Sequence, residues 1–545
     1  MAILFSDLNF RLLICLLMPF IMILTETHSC KAQKISTAPP QTVTVAINGR
    51  TTIAKIGDNF LCATLDWWPP EKCDYGTCSW GRASALNLDL SNALLQNAVR
   101  GLTPLMLRLG GSLQDKLIYG IGNLRRPCVP QKPTSDLFGF SEGCLNMSRW
   151  DALNRFFQLT GVQVAFGLNA LYGREKDYTH AWDSTNAYDF IQYTIKKKYQ
   201  IQAWELGNEL SGSGVGASVP VSQYVSDVKK LRAVIDQLYA GWTTKPLIVA
   251  PDGFFDENWY LQLLQGTGNQ ITNILSRHIY SLGAGVDTDL VDKILNPSYL
   301  SQEAGPYRSM QQMLQTNGPW AQAWIGEAGG AYNSGHHLVT DAFVFSFWYA
   351  DQLGMAARFN NTAFCRQSLI GGNYGLLDHA TFNPNPDYYS ALIWKTLMGK
   401  NVLSASVNGN NYLRAYAHCS KGDSQSISVL LINLSNTTQF SVNLAITATA
   451  PLDTLVRQFE VPMLEQKTSG TSKSGAQRLE YHLTAPNGDL HSQTVLLNGV
   501  PLQMTSSGNL PTLNPILVNP SLPISVAPLS IVFVKVPHLP NLACT

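Results

Sequence analysis

Charge is scarce in this chain. Asp, Glu, Lys and Arg make up only 14% of its 545 residues, and 38 basic against 37 acidic side chains leave a formal net charge of +1. The densest basic cluster is Lys196-Lys197-Lys198, in a helix-like stretch where a solvated face accounts for it. No nucleic acid and no strongly anionic polymer is an expected partner, because so thin a positive field would not hold one. Long apolar runs are equally rare. One covers residues 12–24, after Arg11 and ahead of small and polar residues through Ser29 and Ala32, and it is short for a bilayer span. It reads as an export signal over residues 1–29, and no transmembrane span is expected. Also missing are a G-x-S-x-G elbow, an H-E-x-x-H pair and a phosphate loop ending in Gly-Lys, which removes three common catalytic readings. No cofactor and no metal are expected, since Cys73-x4-Cys78 has no second ligand pair at zinc spacing.

What is present is a large apolar fraction, 45% of the residues, on a chain too long for one ordinary domain. Removal of the signal leaves eight cysteines from Cys62 to Cys544, or nine with Cys30. Export permits disulfides, and Cys73–Cys78, Cys128–Cys144 and Cys419–Cys544 are the expected pairs, although spacing does not fix connectivity. Asn146, Asn360, Asn433 and Asn436 each open an N-x-[ST] glycosylation sequon. The expected location is extracellular, including the cell wall, with vacuole or lysosome as the other compartments. Oligomeric state is not legible.

Between residues 58 and 404, eight short apolar runs (60–66, 104–110, 162–169, 202–208, 246–250, 275–280, 322–327 and 366–371) alternate with helix-like stretches such as 184–198, 221–239 and 340–354. Eight β units with intervening α units predict a (β/α)8 TIM barrel. From 405 to 545 the pattern becomes strand after strand (412–418, 427–433, 438–446, 455–459, 478–483, 492–497 and 529–536), which predicts an antiparallel β-sandwich domain. Residues 40–57 carry a hairpin signal, 42–47 and 51–54 around Asn48-Gly49, whose strands are expected to join that sandwich.

Barrel chemistry gathers at the C-terminal ends of the strands. There stand Asp66, Asp115, Glu209 in "WELGNEL" and Glu327 in "WIGEAGG". Glu205 and Glu209 look like a catalytic pair, but along one strand their positions are about 13 Å apart. Glycosidase carboxyls stand about 5–5.5 Å apart in retaining enzymes and about 6.5–9.5 Å in inverting ones. Glu205 is therefore expected to be structural, inside the barrel, and Glu209 on strand four to work with Glu327 on strand seven. Arg108 is expected to hydrogen-bond the nucleophile and keep it ionised. His278 and Tyr280 end the sixth run; each alone reads as a satisfied structural residue. Trp67, Trp68, Trp204 and Trp324 read as core.

The stretches "LRLGGSLQD", "FGLNALYG", "WELGNELSGSG", "HIYSLG", "WIGEAGGAYNSG" and "GGNYGLLD", in this order, resemble the heparanase and β-glucuronidase family, glycoside hydrolase family 79. "ATLDWWPPEKC", "FGFSEGCL" and "NPNPDYYSALIWKTLMGK" resemble its plant heparanase-like branch. The resemblance runs from about residue 42 to the C-terminus. It implies a retaining mechanism with Glu209 as acid/base and Glu327 as nucleophile. It further implies that Asp66, Ser112, Asn208 and Tyr374 line the sugar site and that Tyr280 hydrogen-bonds the nucleophile. Asn333-Ser334 stands where animal heparanases hold the uronate carboxylate on a Gly-Gly backbone. Cys419 and Cys544 match a disulfide of the family. The implied substrate is a carbohydrate or small-molecule glucuronide, from which terminal β-linked glucuronic acid is removed, arabinogalactan-type glycans included. An endo-β-glucuronidase or another β-glycosidase is the alternative reading; a non-catalytic cell-wall glycan-binding protein is the second.

Overall fold

The computed structural model describes residues 39–175, 177–447, 477–505, 507–539 and 543–544. The expected signal segment and the expected strand at 455–459 lie outside the described residues. No described helix is long and apolar enough to cross a membrane.

Eight parallel strands close into a barrel in chain order: Leu61–Leu65, Met106–Leu109, Gln163–Leu168, Ala203–Leu206, Leu247–Gly253, Ile274–Ile279, Gln322–Ala328 and Asn361–Arg366. The last strand ends where the eighth apolar run was expected to begin. Leu369 and Ile370 are buried past its end, where the Leu369 N–H still donates to the Thr64 carbonyl of the first strand at 2.9 Å and Ile370 bridges to Leu377, outside a continuous ladder.

Strand periodicity explains how the barrel interior is filled. Its floor is an apolar layer contributed by the strands in turn: Cys62, Met106, Ala165, Ala203, Val249, Ile274, Trp324, Ala363 and Cys365. Two residues further on, the same inward face carries Thr64, Arg108, Gly167, Glu205 and Ser276, because alternate side chains share a face. The interior thus changes from apolar to polar within one step toward the C-terminal mouth. Small residues make room for that polar layer: a Cβ on Gly326 would fall 1.9 Å from Asp252 Oδ1.

Helices surround the barrel. Met147–Thr160 is started by Asn146, whose side chain accepts from the Arg149 N–H, and stopped by Gly161 at φ 72°. Phe345–Arg358, expected to start at 340, is buried along nearly its whole length. The barrel strand that follows packs on one side of it and the strand Leu413–Ser420 on another, where Gly354 admits the Tyr416 ring.

Two short parallel pairs stand apart, and the other eleven described strands form one sheet whose folded-over face encloses its own core of Val43, Val45, Ile47, Val429, Leu431, Phe440, Val442, Ile524, Val532 and Val534. Its pairs are antiparallel except one. The strand Gln41–Lys55 lies parallel to Phe440–Thr447 and antiparallel to Met398–Asn408. The expected hairpin at Asn48-Gly49 is instead a bulge within this single strand. Residues 44–48 and 52–55 both pair with Met398–Asn408, and Asn48 Oδ1 caps the bulge by accepting from the Arg50 N–H at 2.9 Å. The sheet strand Met398–Asn408 runs across the expected boundary at 404. Of the expected strand 492–497 only Leu496–Leu497 is paired.

Among the described residues there are four disulfides. Cys73–Cys78, Cys128–Cys144 and Cys419–Cys544 match expectation. The fourth, Cys62–Cys365, joins facing residues of the first and eighth barrel strands, 303 residues apart in sequence. Of the sequons, Asn146, Asn360 and Asn436 are exposed. Asn433 is fully buried, which disfavours a glycan there, and its Nδ2 donates to the carbonyls of Thr438 and Ala527 at 2.8 Å each.

Candidate active site

Arg108, on the second barrel strand, organises the mouth. Its Nε and Nη2 donate to the two oxygens of Glu205 at 2.9 and 2.7 Å. Nη1 donates to Glu327 Oε2 at 2.7 Å, and Nη2 also reaches Asn208 Oδ1 at 2.8 Å and Asp252 Oδ2 at 2.7 Å. Burial opposes its charge, but Asp252, Glu205 and Glu327 together raise Arg108 well above its ordinary value. Glu205 is thus a buried support of the guanidinium. Burial pushes its carboxyl up, against the pull of Arg108.

Glu209 does not continue the strand. The strand ends at Leu206; Gly207 has φ 71° and Glu209 itself φ 55°, and the Glu209 N–H donates to the Asp252 carbonyl at 2.7 Å. The turn aims the carboxyl at His278, whose Nδ1 lies 2.8 Å from Glu209 Oε1, while Nε2 lies 3.0 Å from Asp252 Oδ2. Burial disfavours the imidazolium, but Asp252, Glu327 and the hydrogen bonds to Asp252 and Glu209 raise His278 to about 10. Asp252 moves the other way: burial is outweighed by Arg108 and His278, and it stays ionised.

Glu327, at the end of the seventh strand, receives the Tyr280 hydroxyl on Oε1 and Arg108 on Oε2. Burial and Glu327 hold Tyr280 far above its usual value, so it remains a donor. Ligand atoms of Glu209, His278 and Glu327 all lie within 4.8 Å of one another. The trio has the spacing of a metal site, but both ring nitrogens of His278 are already engaged, by Glu209 and by Asp252.

The other expected residues surround this pair. Asp66 accepts from Gln367 Nε2 at 2.9 Å, and Gln367 Nε2 also lies 3.3 Å from the Tyr374 hydroxyl. Burial and Glu327 raise Asp66 to about 8. Gly111, at φ 97°, runs so close to Asp66 that a Cβ would sit 2.2 Å from Oδ1; half-buried Ser112 follows it. The Asn208 N–H is fixed by Asp115 at 2.7 Å. Asn333 and Ser334, both with positive φ, connect to this group through Tyr374: the Asn373 N–H donates to the Ser334 carbonyl at 2.7 Å, and Gly335 lies against the Tyr374 ring. Trp67, Trp68, Trp204 and Trp324 are buried.

Sequence reasoning gave no part in the site to Asp252, Gln367, Trp80 or Asp74, and left His278 as a structural residue. The fifth run was ended at Ala250, two residues short of Asp252; tracing every strand to its last polar residue finds it.

A closed (β/α)8 barrel with two buried glutamates converging at its C-terminal mouth defines a glycoside hydrolase. The chain belongs to glycoside hydrolase family 79: residues 42–354 match the model described as Glycosyl hydrolase family 79, N-terminal domain. Heparanase-like protein 3 of Arabidopsis thaliana is 49% identical over 515 residues, which cover 94% of this chain and 96% of that one. Baicalin-beta-D-glucuronidase of Scutellaria baicalensis is 39% identical over 505 residues, 89% and 90% of the two chains. Among solved structures, a 4-O-alpha-L-rhamnosyl-beta-D-glucuronidase from Fusarium oxysporum 12S shares the fold, with TM-score 0.63 at 14% identity, over 90% of this chain and 100% of that one.

Proposed function

We propose that the protein is a secreted, retaining exo-β-glucuronidase. The observation that carries the mechanism is the approach of the Glu209 and Glu327 carboxyls to within 4.8 Å, near the retaining spacing and well short of the inverting one. Glu327 attacks the anomeric carbon and forms a glycosyl-enzyme. Arg108 and Tyr280 hold both its oxygens, which aims it. Glu209 donates its proton to the leaving oxygen, then accepts one from the water that releases the sugar. Asp66, Ser112, Asn208 and Tyr374 receive the sugar hydroxyls, and the Asn333-Ser334 backbone receives the uronate carboxylate. The turn that carries both residues supports that last assignment, since consecutive backbone N–H groups in a turn form a concavity for an anion.

Exo action on neutral or weakly acidic glycans, or on small aglycone glucuronides, is favoured over cleavage within a sulfated polymer by the near-zero net charge. Four disulfides suit an oxidising compartment. The test is turnover of an aryl β-glucuronide with NMR of the first anomer released. Release of the β-anomer is expected; release of the α-anomer defeats the retaining assignment. Tight glycan binding without any cleavage defeats the enzyme reading.

A further inference from the structure

The Cys73–Cys78 disulfide closes a small exposed ring, in which Asp74 and Thr77 exchange both backbone hydrogen bonds at 2.9 Å. This ring reaches across the mouth to the turn after the nucleophile strand. Asp74 Oδ2 accepts from Ser334 Oγ at 2.5 Å, and the same Oγ accepts from Trp80 Nε1 at 2.9 Å. The Tyr75 hydroxyl accepts from Asn333 Nδ2 at 3.1 Å. Lys72, over the Trp68 ring, pairs with Asp74 at 2.8 Å and balances its charge.

These contacts converge on two residues that need outside help. Asn333 has φ 56° and Ser334 φ 67°. Asn tolerates that region, whereas Ser adopts it only under constraint. Elsewhere a glycine removes the difficulty; here three side chains from one disulfide ring and its flank supply the constraint.

We propose that the Cys73–Cys78 ring is a specificity element of the sugar site. Through Asp74, Tyr75 and Trp80 it holds the Asn333-Ser334 N–H groups in the geometry that receives a C6 carboxylate, and so selects a glucuronide over the matching glucoside. The inference rests on the β-glucuronidase reading. Asp74, Tyr75 and Trp80 are positioning residues; none is assigned contact with the reacting atoms.

The experiment compares kcat and KM for 4-nitrophenyl β-glucuronide and β-glucoside in the full chain, its Ser334→Ala variant and a Cys73→Ala/Cys78→Ala variant, with thermal denaturation to confirm folding. Ser334→Ala removes both Oγ hydrogen bonds and the disulfide variant loosens the ring that carries Asp74; each is expected to raise KM for the glucuronide about tenfold with kcat within about twofold. Glucoside KM should not change, so the preference ratio falls in both variants. Equal losses on both glycosides, or an unchanged ratio in folded variants, overturn the inference alone. A wild-type chain that turns over no glucuronide overturns the function reading, and this inference with it.

Discussion

Glu205 and Glu209 stand four positions apart in sequence and end in different chemistry. Glu205 is bound by both oxygens to Arg108, while Glu209 turns out of the strand to meet His278. Glu327→Gln should abolish turnover of an aryl β-glucuronide in a chain that still unfolds cooperatively. Glu205→Gln is expected to lower stability by about 3 kcal/mol, the scale for breaking a buried ion pair, as read by denaturant titration; loss of turnover with unchanged stability would reverse the assignment. Asp66 gives a pH test. Its folded value of about 8 exceeds the ordinary 3.8, so between those limits the folded chain keeps a proton that the unfolded chain has lost. Stability from this group therefore falls as pH rises from about 4 to about 8. Asp66→Asn should gain melting temperature over the wild type progressively across that window, with no gain at pH 4, and should lose activity. A gain independent of pH would place the effect elsewhere.

Elements were legible where periodicity was strong. The helices at 184–198 and 221–239 lie within a few residues of Thr185–Lys196 and Val221–Leu238. The last barrel unit was placed late: the run 366–371 begins where the strand Asn361–Arg366 ends, and past that end Leu369 bonds to Thr64 and Ile370 bridges to Leu377 without continuing the ladder. The Asn48-Gly49 signal is real turn chemistry, but the flanking segments pair with Met398–Asn408 and not with each other, a choice made by a strand about 350 residues away. Asn433 shows the same limit for a motif, since its sequon is correct in letters and sealed in the sheet. Mass spectrometry of the chain expressed through a eukaryotic secretory pathway is expected to find glycan at Asn146, Asn360 or Asn436 and none at Asn433. Asn433→Ala should leave glycan occupancy unchanged and lower the melting temperature, because it strips two carbonyls of their donor.

At the scale of the molecule, the Cys62–Cys365 bond ties the first barrel strand to the last and lies in the apolar floor. A cross-link over so long a separation restricts the unfolded chain strongly. Its removal by Cys62→Ala/Cys365→Ala should cost about 2–5 kcal/mol, measured by denaturant unfolding. A variant as stable as the wild type would assign the bond no role in holding the barrel closed. The floor also sets the position of the chemistry, because each apolar residue there fixes which side chain, two positions later, enters the polar mouth.

By itself, the sequence determined the barrel and its companion sheet and set Glu205 apart from Glu209 and Glu327, while three cysteine pairs were expectations that it did not fix. The fold follows from periodicity, the setting apart of Glu205 from the reach of a strand, and the expected pairs from residues near one another or in a recognisable motif. Only the tertiary structure decided that Cys62 meets Cys365, that Asp252 and His278 join the two glutamates through Arg108, and that Asp74, Tyr75 and Trp80 grip the Asn333-Ser334 turn. Each of these joins residues from different strands or loops, brought together by closure of the barrel, and no local spacing encodes which strand ends will face one another.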